Sequence, residues 1–163
     1  MSQLPILVVT TGGTIDKQYF DALSEYQIAE SVIEKLLKAA RVTHPFRVIE
    51  LMRKDSLELT GEDRALIRAA IAAAPETRVV VTHGTDTMTD TAKALADIGD
   101  KTVVLVGALA PARFAESDAA FNLGMAFACC QAAAPGVWIT MNGSVFDGLK
   151  VRKDRAAGRF LEI

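Results

Sequence analysis

Short unbroken apolar runs that stop at clusters of threonine and glycine punctuate this chain, and they alternate with segments of helical period. The run at residues 4–9 ends at Thr10-Thr11-Gly12-Gly13, and the run at 78–82, with Val79-Val80-Val81 inside it, ends at His83-Gly84. A third run, 101–106, ends at Gly107-Ala108. Strands covered by helices on both faces read this way, because neither face needs polar residues. Residues 46–52 and 136–141, the latter carrying Trp138, complete five strands. The spacing predicts helices over 25–40, from Thr60-Gly-Glu-Asp63 to just before Pro75, over 86–98 and over 117–133. The first places Ile28, Val32, Ile33, Leu36, Leu37 and Ala40 on one face. The last is apolar nearly all round and is expected to be largely buried. Residues 142–163 are turn-rich and have no decisive period. Strand and helix in alternation imply an α/β fold: a doubly wound, mostly parallel sheet with helices on both faces. The 163 residues fall within the usual ~100–200 of one domain, and no linker divides them.

Composition removes several function classes. The net charge of −2 lacks the basic surplus of a nucleic-acid binder. The first ten residues have neither a basic segment nor an apolar run long enough for a signal peptide or membrane span, so no membrane partner and a cytoplasmic location are expected. Cys129 and Cys130 are neighbours within an apolar stretch and cannot pair with each other, which reads as two buried free thiols. No phosphate-cradling loop, dinucleotide fingerprint or serine-hydrolase elbow occurs, and the two histidines, His44 and His83, form no zinc pattern. No cofactor or metal is expected.

In a doubly wound sheet ligands bind at the carboxyl ends of the strands. There this sequence collects Thr10-Thr-Gly-Gly-Thr14, Lys54-Asp55-Ser56, Thr82-His-Gly-Thr-Asp-Thr87 and Gly107-Ala108. Thr14 and Thr85 are the only threonines in Gly-Thr turns after apolar runs. Each alone reads first as a helix cap, which threonine fills well. Together at one sheet edge, with Asp86 adjacent, they read as a nucleophile site that needs a nearby base or a partner of depressed pKa, such as a buried lysine kept neutral by desolvation.

Thr11-Gly-Gly-Thr-Ile15 and Thr82-His-Gly-Thr-Asp-Thr-Met88 resemble the two signature segments of the bacterial-type L-asparaginase/glutaminase family. The similarity continues through Val106-Gly-Ala108, Phe121-Asn-Leu123, Met141-Asn142 and Val145-Phe-Asp-Gly148. It spans nearly the whole chain and only the larger N-terminal domain of the family, so residues 1–163 resemble a short, single-domain member without the smaller C-terminal domain. Ala110 stands where the family carries arginine, and residues 54–59 differ from its common forms.

The resemblance implies hydrolysis of L-asparagine to L-aspartate and ammonia through an acyl-threonine, with no cofactor. By motif, Thr14 is the nucleophile and Tyr19, ahead of Tyr26, the phenol on a loop that closes over it. Thr85, Asp86 and Lys153 match the second catalytic group, with Lys153 a base if neutral or an ion-pair partner of Asp86 otherwise. Asp55, Ser56, Gly84, Thr85 and Asp86 match the substrate-binding segments. A glutaminase, an amide-donor subunit and a non-catalytic amino-acid-binding module are the alternatives. A homo-oligomer, dimer or tetramer, is expected.

Overall fold

The computed structural model describes residues 3–163. Five parallel strands, β1 (Ile6–Gly12), β4 (Phe46–Lys54), β5 (Arg78–Thr82), β6 (Thr102–Val106) and β7 (Gly136–Met141), form one sheet, and β8 (Ser144–Asp147) adds an antiparallel edge. The order is β4-β1-β5-β6-β7-β8. Alternate residues of each strand feed two separate cores. Leu7, Val9, Val79, Val81, Val103 and Leu105 pack on one side with α2 (Gly61–Ala73) and α3 (Met88–Ala94). Ile6, Val8, Val80, Val104 and Val106 pack on the other with α1 (Ile33–Ala39) and α4 (Ala119–Ala132). The two-residue period of a strand, applied to an unbroken apolar run, builds both layers at once.

Strand order determines where a crevice opens. From β1 the chain crosses to β4 on one side and then returns to β5 on the other. Crossovers leaving in opposite directions part the helices at the carboxyl ends of β1 and β5, the ligand position in folds of this kind. Those ends carry Gly12-Gly13-Thr14 and His83-Gly84-Thr85.

Two helices differ from the periodicity. The segment predicted as helix over 25–40 divides: β3 (Glu25–Ile28) pairs antiparallel with β2 (Lys17–Phe20), and helix begins only at Ile33. Local tertiary contacts override the period. Tyr19 pairs in register with Tyr26, Ser24 turns the chain in the left-handed region, and Asp16 Oδ1 accepts from Val32 N at 3.0 Å just ahead of α1. The helix predicted over 86–98 is shortened to α3, and its leading residues Asp86 and Thr87 are held by partners outside the helix.

The α4 helix is buried on one face, not largely throughout. Leu123, Ala126, Phe127 and Cys130 pack inward, while Ala120, Phe121, Gly124 and Ala128 are exposed. Both cysteines are free and buried, and burial pushes the Cys130 thiol up to about 12. The unassigned tail resolves into β8 and a hairpin of β9 (Val151–Asp154) with β10 (Arg159–Glu162). Among the described residues no helix is long and apolar enough to cross a membrane.

Candidate active site

Backbone contact closes the site. Gly13 sits at φ 89°, ψ −179°, a conformation open to glycine alone. Its nitrogen donates to Lys54 O at 3.0 Å. A Cβ built on Gly13 would lie 2.5 Å from the Gly84 nitrogen, and one on Gly84 would lie 2.7 Å from Ser56 Cβ and Oγ. The turns after β1, β4 and β5 therefore touch with no room for a methyl group. This contact brings the turn that carries Thr14 against Gly84-Thr85 and Ser56.

Lys153 arrives from β9, far away in sequence. Its Nζ donates to Thr85 Oγ1 at 2.7 Å and to Asp86 Oδ1 at 2.8 Å, with the side chain only 13% exposed. Of the two sequence expectations for this lysine, a neutral base or an ion-pair partner of Asp86, the ion-pair contact with Asp86 is present, and the same nitrogen also reaches Thr85. Arg155 Nε adds a second cation 3.5 Å from Asp86 Oδ1. The Lys153 hydrogen bond, followed by the charges of Lys153 and Arg155, holds the Asp86 carboxyl below the usual carboxylate range against the opposing effect of burial. Because a lysine nitrogen donates to Thr85 Oγ1, the hydroxyl proton of Thr85 is left to point elsewhere.

The other wall is the turn after β4. Asp55 accepts from Leu57 N at 3.0 Å and pairs with Lys17 at 3.4 Å. Ser56 is buried; its Oγ accepts from Thr87 N at 3.2 Å, and its carbonyl accepts from Thr87 Oγ1 at 2.7 Å. Sequence reasoning does not single out Thr87, although it lies inside the second signature segment. His83 is fully buried between Gly84 O, 2.6 Å from Nδ1, and Thr91 Oγ1, 2.7 Å from Nε2. Desolvation pushes its pKa down to about 4, so the ring is neutral near pH 7. It orients the turn and is not placed to carry charge.

Tyr19 lies in the paired β2–β3 hairpin, not in a free loop. Its ring centroid is 5.1 Å from that of Tyr26, which in turn meets Phe114 edge-on at 5.7 Å. Between this hairpin and the Asp55 turn is an open cleft of about 390 Å³, lined in part by Lys17, Tyr26, Arg53 and Asp55. Of the two tyrosines, Tyr26 lines it. Asp16, two residues beyond Thr14, likewise carries no signal in the sequence. It is buried, desolvation raises its carboxyl pKa, and its backbone carbonyl accepts from Arg113 at 2.9 Å, fastening the hairpin base.

Comparison with known proteins identifies the family. Residues 5–159 match the family model described as asparaginase, N-terminal. A glutaminase-asparaginase of Acinetobacter glutaminasificans is 31% identical over 164 residues, covering 91% of this chain and 49% of the relative. A glutamyl-tRNA(Gln) amidotransferase component of Thermococcus kodakarensis is 31% identical over 171 residues, covering 94% of this chain and 38% of that protein. Among solved structures, the thermostable L-asparaginase from Thermococcus kodakarensis superposes with a TM-score of 0.87 at 26% identity, over 98% of this chain and 51% of its own. The chain spans about half the length of the L-asparaginase and glutaminase-asparaginase relatives it matches. By fold, motif and match along nearly its full length, the chain belongs to the asparaginase family.

Proposed function

We propose that this chain hydrolyses L-asparagine to L-aspartate and ammonia, with Thr14 as the nucleophile. The observation that carries the reading is the packing of the Thr14 turn against Gly84-Thr85, where Lys153 reaches both Thr85 and Asp86. Thr14 Oγ1 attacks the side-chain amide carbon and the C–N bond breaks. The hydroxyl proton leaves with the nitrogen as ammonia, and an acyl ester remains on Thr14. Water then attacks that ester. Its oxygen enters the product carboxylate, and a proton returns to Thr14. Thr85, held by Lys153, positions the water; the phenol that the family resemblance assigns to Tyr19 lies here in the β2–β3 hairpin and reaches the nucleophile only if that hairpin moves.

Asp86 faces the substrate ammonium, and Asp55, Ser56 and Gly84 line the remaining contacts. A zwitterionic amino acid needs an anionic partner and hydrogen-bonding partners, and these residues are of those types. The same chemistry on glutamine, or as an amide donor to a partner, is the second reading. The amidotransferase component among the relatives favours it.

Purified protein is expected to release ammonia and aspartate in equal amounts from asparagine, faster than from glutamine, with no added metal or nucleotide. No ammonia from either amide refutes the reading, and so does activity that a chelator abolishes and zinc restores. We also infer a homo-oligomer, because α4 leaves Ala120, Phe121, Gly124 and Ala128 uncovered, with Phe121 65% exposed. Light scattering is expected to give a multiple of the single-chain mass; a monomer at working concentration contradicts it.

A further inference from the structure

Arg64, on the first turn of α2, lies outside every motif of the chain, yet its guanidinium reaches both walls of the site. Its Nε donates to Thr91 Oγ1 at 3.1 Å, one terminal nitrogen to Thr87 Oγ1 at 3.0 Å, and the other to Leu59 O at 3.2 Å. Among the described residues no carboxylate lies within ion-pair distance of it. Its donors go to neutral acceptors, which is unusual for a partly buried cation.

The direction of every bond follows from chemistry. Gly84 O can only accept, so the His83 Nδ1 facing it carries the proton. In a neutral ring Nε2 is then an acceptor, so Thr91 must donate its one hydroxyl proton to it. Arg64, which has no lone pair to offer, leaves Thr91 no other direction. Thr87 is constrained likewise: Arg64 occupies a lone pair and its proton goes to Ser56 O. One planar fork therefore orients two threonines, one tied to the Gly84-Thr85 turn and the other to the Ser56 turn.

We propose that Arg64 is a positioning residue for the proposed amide hydrolysis, setting the Thr85 turn through Thr91 and His83 and the Ser56 turn through Thr87. The proposal rests on that functional reading for its kinetic consequence but not for the network itself. Lysine cannot replace the fork, since a single tetrahedral nitrogen does not present the same planar set of donors.

The test separates the two arms in full-length protein, with melting curves confirming that each variant is folded. Thr91→Val is expected to lower kcat for asparagine about tenfold with KM within about twofold. Thr87→Val is expected to raise KM about tenfold with kcat within about twofold. Arg64→Met should do both, and Arg64→Lys should recover at most one. If both constants change together in each threonine variant, or if neither constant changes in either variant, the proposal is overturned.

A second readout needs no turnover. The chain has two histidines, so nitrogen-15 spectra resolve His83 from His44. The charged groups acting on the His83 ring are Arg64 from α2 and Asp90 from α3. Wild-type His83 should show the neutral Nδ1-protonated form down to about pH 4. In Arg64→Met, which removes the positive charge that helps hold it down, it should titrate higher, and in Thr91→Val the Nε2 resonance should shift because its hydroxyl donor is lost. An unchanged His83 signal in both variants overturns the network. Absence of wild-type turnover with the His83 shift present overturns the functional reading alone.

Discussion

Thr14→Ala is expected to reduce asparagine turnover on the order of 10³-fold or more, with the melting temperature within a few degrees of wild type. In the proposed reaction this hydroxyl forms the acyl ester, so its loss removes the chemical step and not merely an orientation. The side chain is only partly buried at the mouth of the crevice, so the fold tolerates its loss. Thr85→Val should slow turnover less steeply, because Thr85 is held by Lys153 and, in the proposed reaction, positions the water of the second half-reaction. Residues acting on one reaction give non-additive losses, and the double variant should be little worse than Thr14→Ala alone. Steady-state ammonia release by the four proteins checks this. Equal activity of Thr14→Ala and wild type contradicts it.

Gly13→Ala should destabilise the protein by about 4 kcal/mol and abolish activity. Two costs combine. The backbone at φ 89°, ψ −179° is closed to alanine, and the new Cβ would lie 2.5 Å from the Gly84 nitrogen. Something must move, and what moves is the contact that joins the Thr14 and Thr85 turns. Gly158→Ala is the control: also at positive φ, but with nothing within 4 Å of its Cβ. It should cost about 1 kcal/mol, the backbone contribution alone. Denaturant unfolding of both variants separates clash from conformation; equal losses would show that the close approach is unimportant.

How far the fold is legible depends on what kind of signal each segment carries. The β5 and β7 runs are bounded to the residue, because each is a mostly apolar run that stops at a turn segment, His83-Gly84 after β5 and Asn142-Gly143 after β7. The cap before α2 is equally plain: Thr60 accepts from Asp63 N while Asp63 accepts from Thr60 N. Residues 25–32 mislead because Ile28 and Val32 sit at helical spacing, yet Tyr19 and Tyr26 find each other across a hairpin. That pairing is tertiary information. The turn from β7 to β8 does have a local signature within the turn-rich tail. Asn142-Gly143, with φ of 54° and 70°, is the two-residue hairpin turn that Asn-Gly favours.

Within the site, the Gly-Thr segments announce Thr14, Thr85, Asp86 and Gly84, since strand-end position and motif coincide. Lys153 comes only from its resemblance to a family pattern; a lone lysine on a late strand has no local signature. Arg64 has no signal of any kind. Its role arises because α2 happens to lie between two turns that the sheet brings together, and no spacing along the chain encodes that.

The most direct measurement of the central claim is intact-mass spectrometry after treatment with a diazo-ketone analogue of asparagine, followed by peptide mapping. Wild type is expected to gain one adduct, located on Thr14; Thr85→Val should still form some, and Thr14→Ala none. An adduct on Thr85, or one that persists unchanged in Thr14→Ala, contradicts Thr14 as the nucleophile.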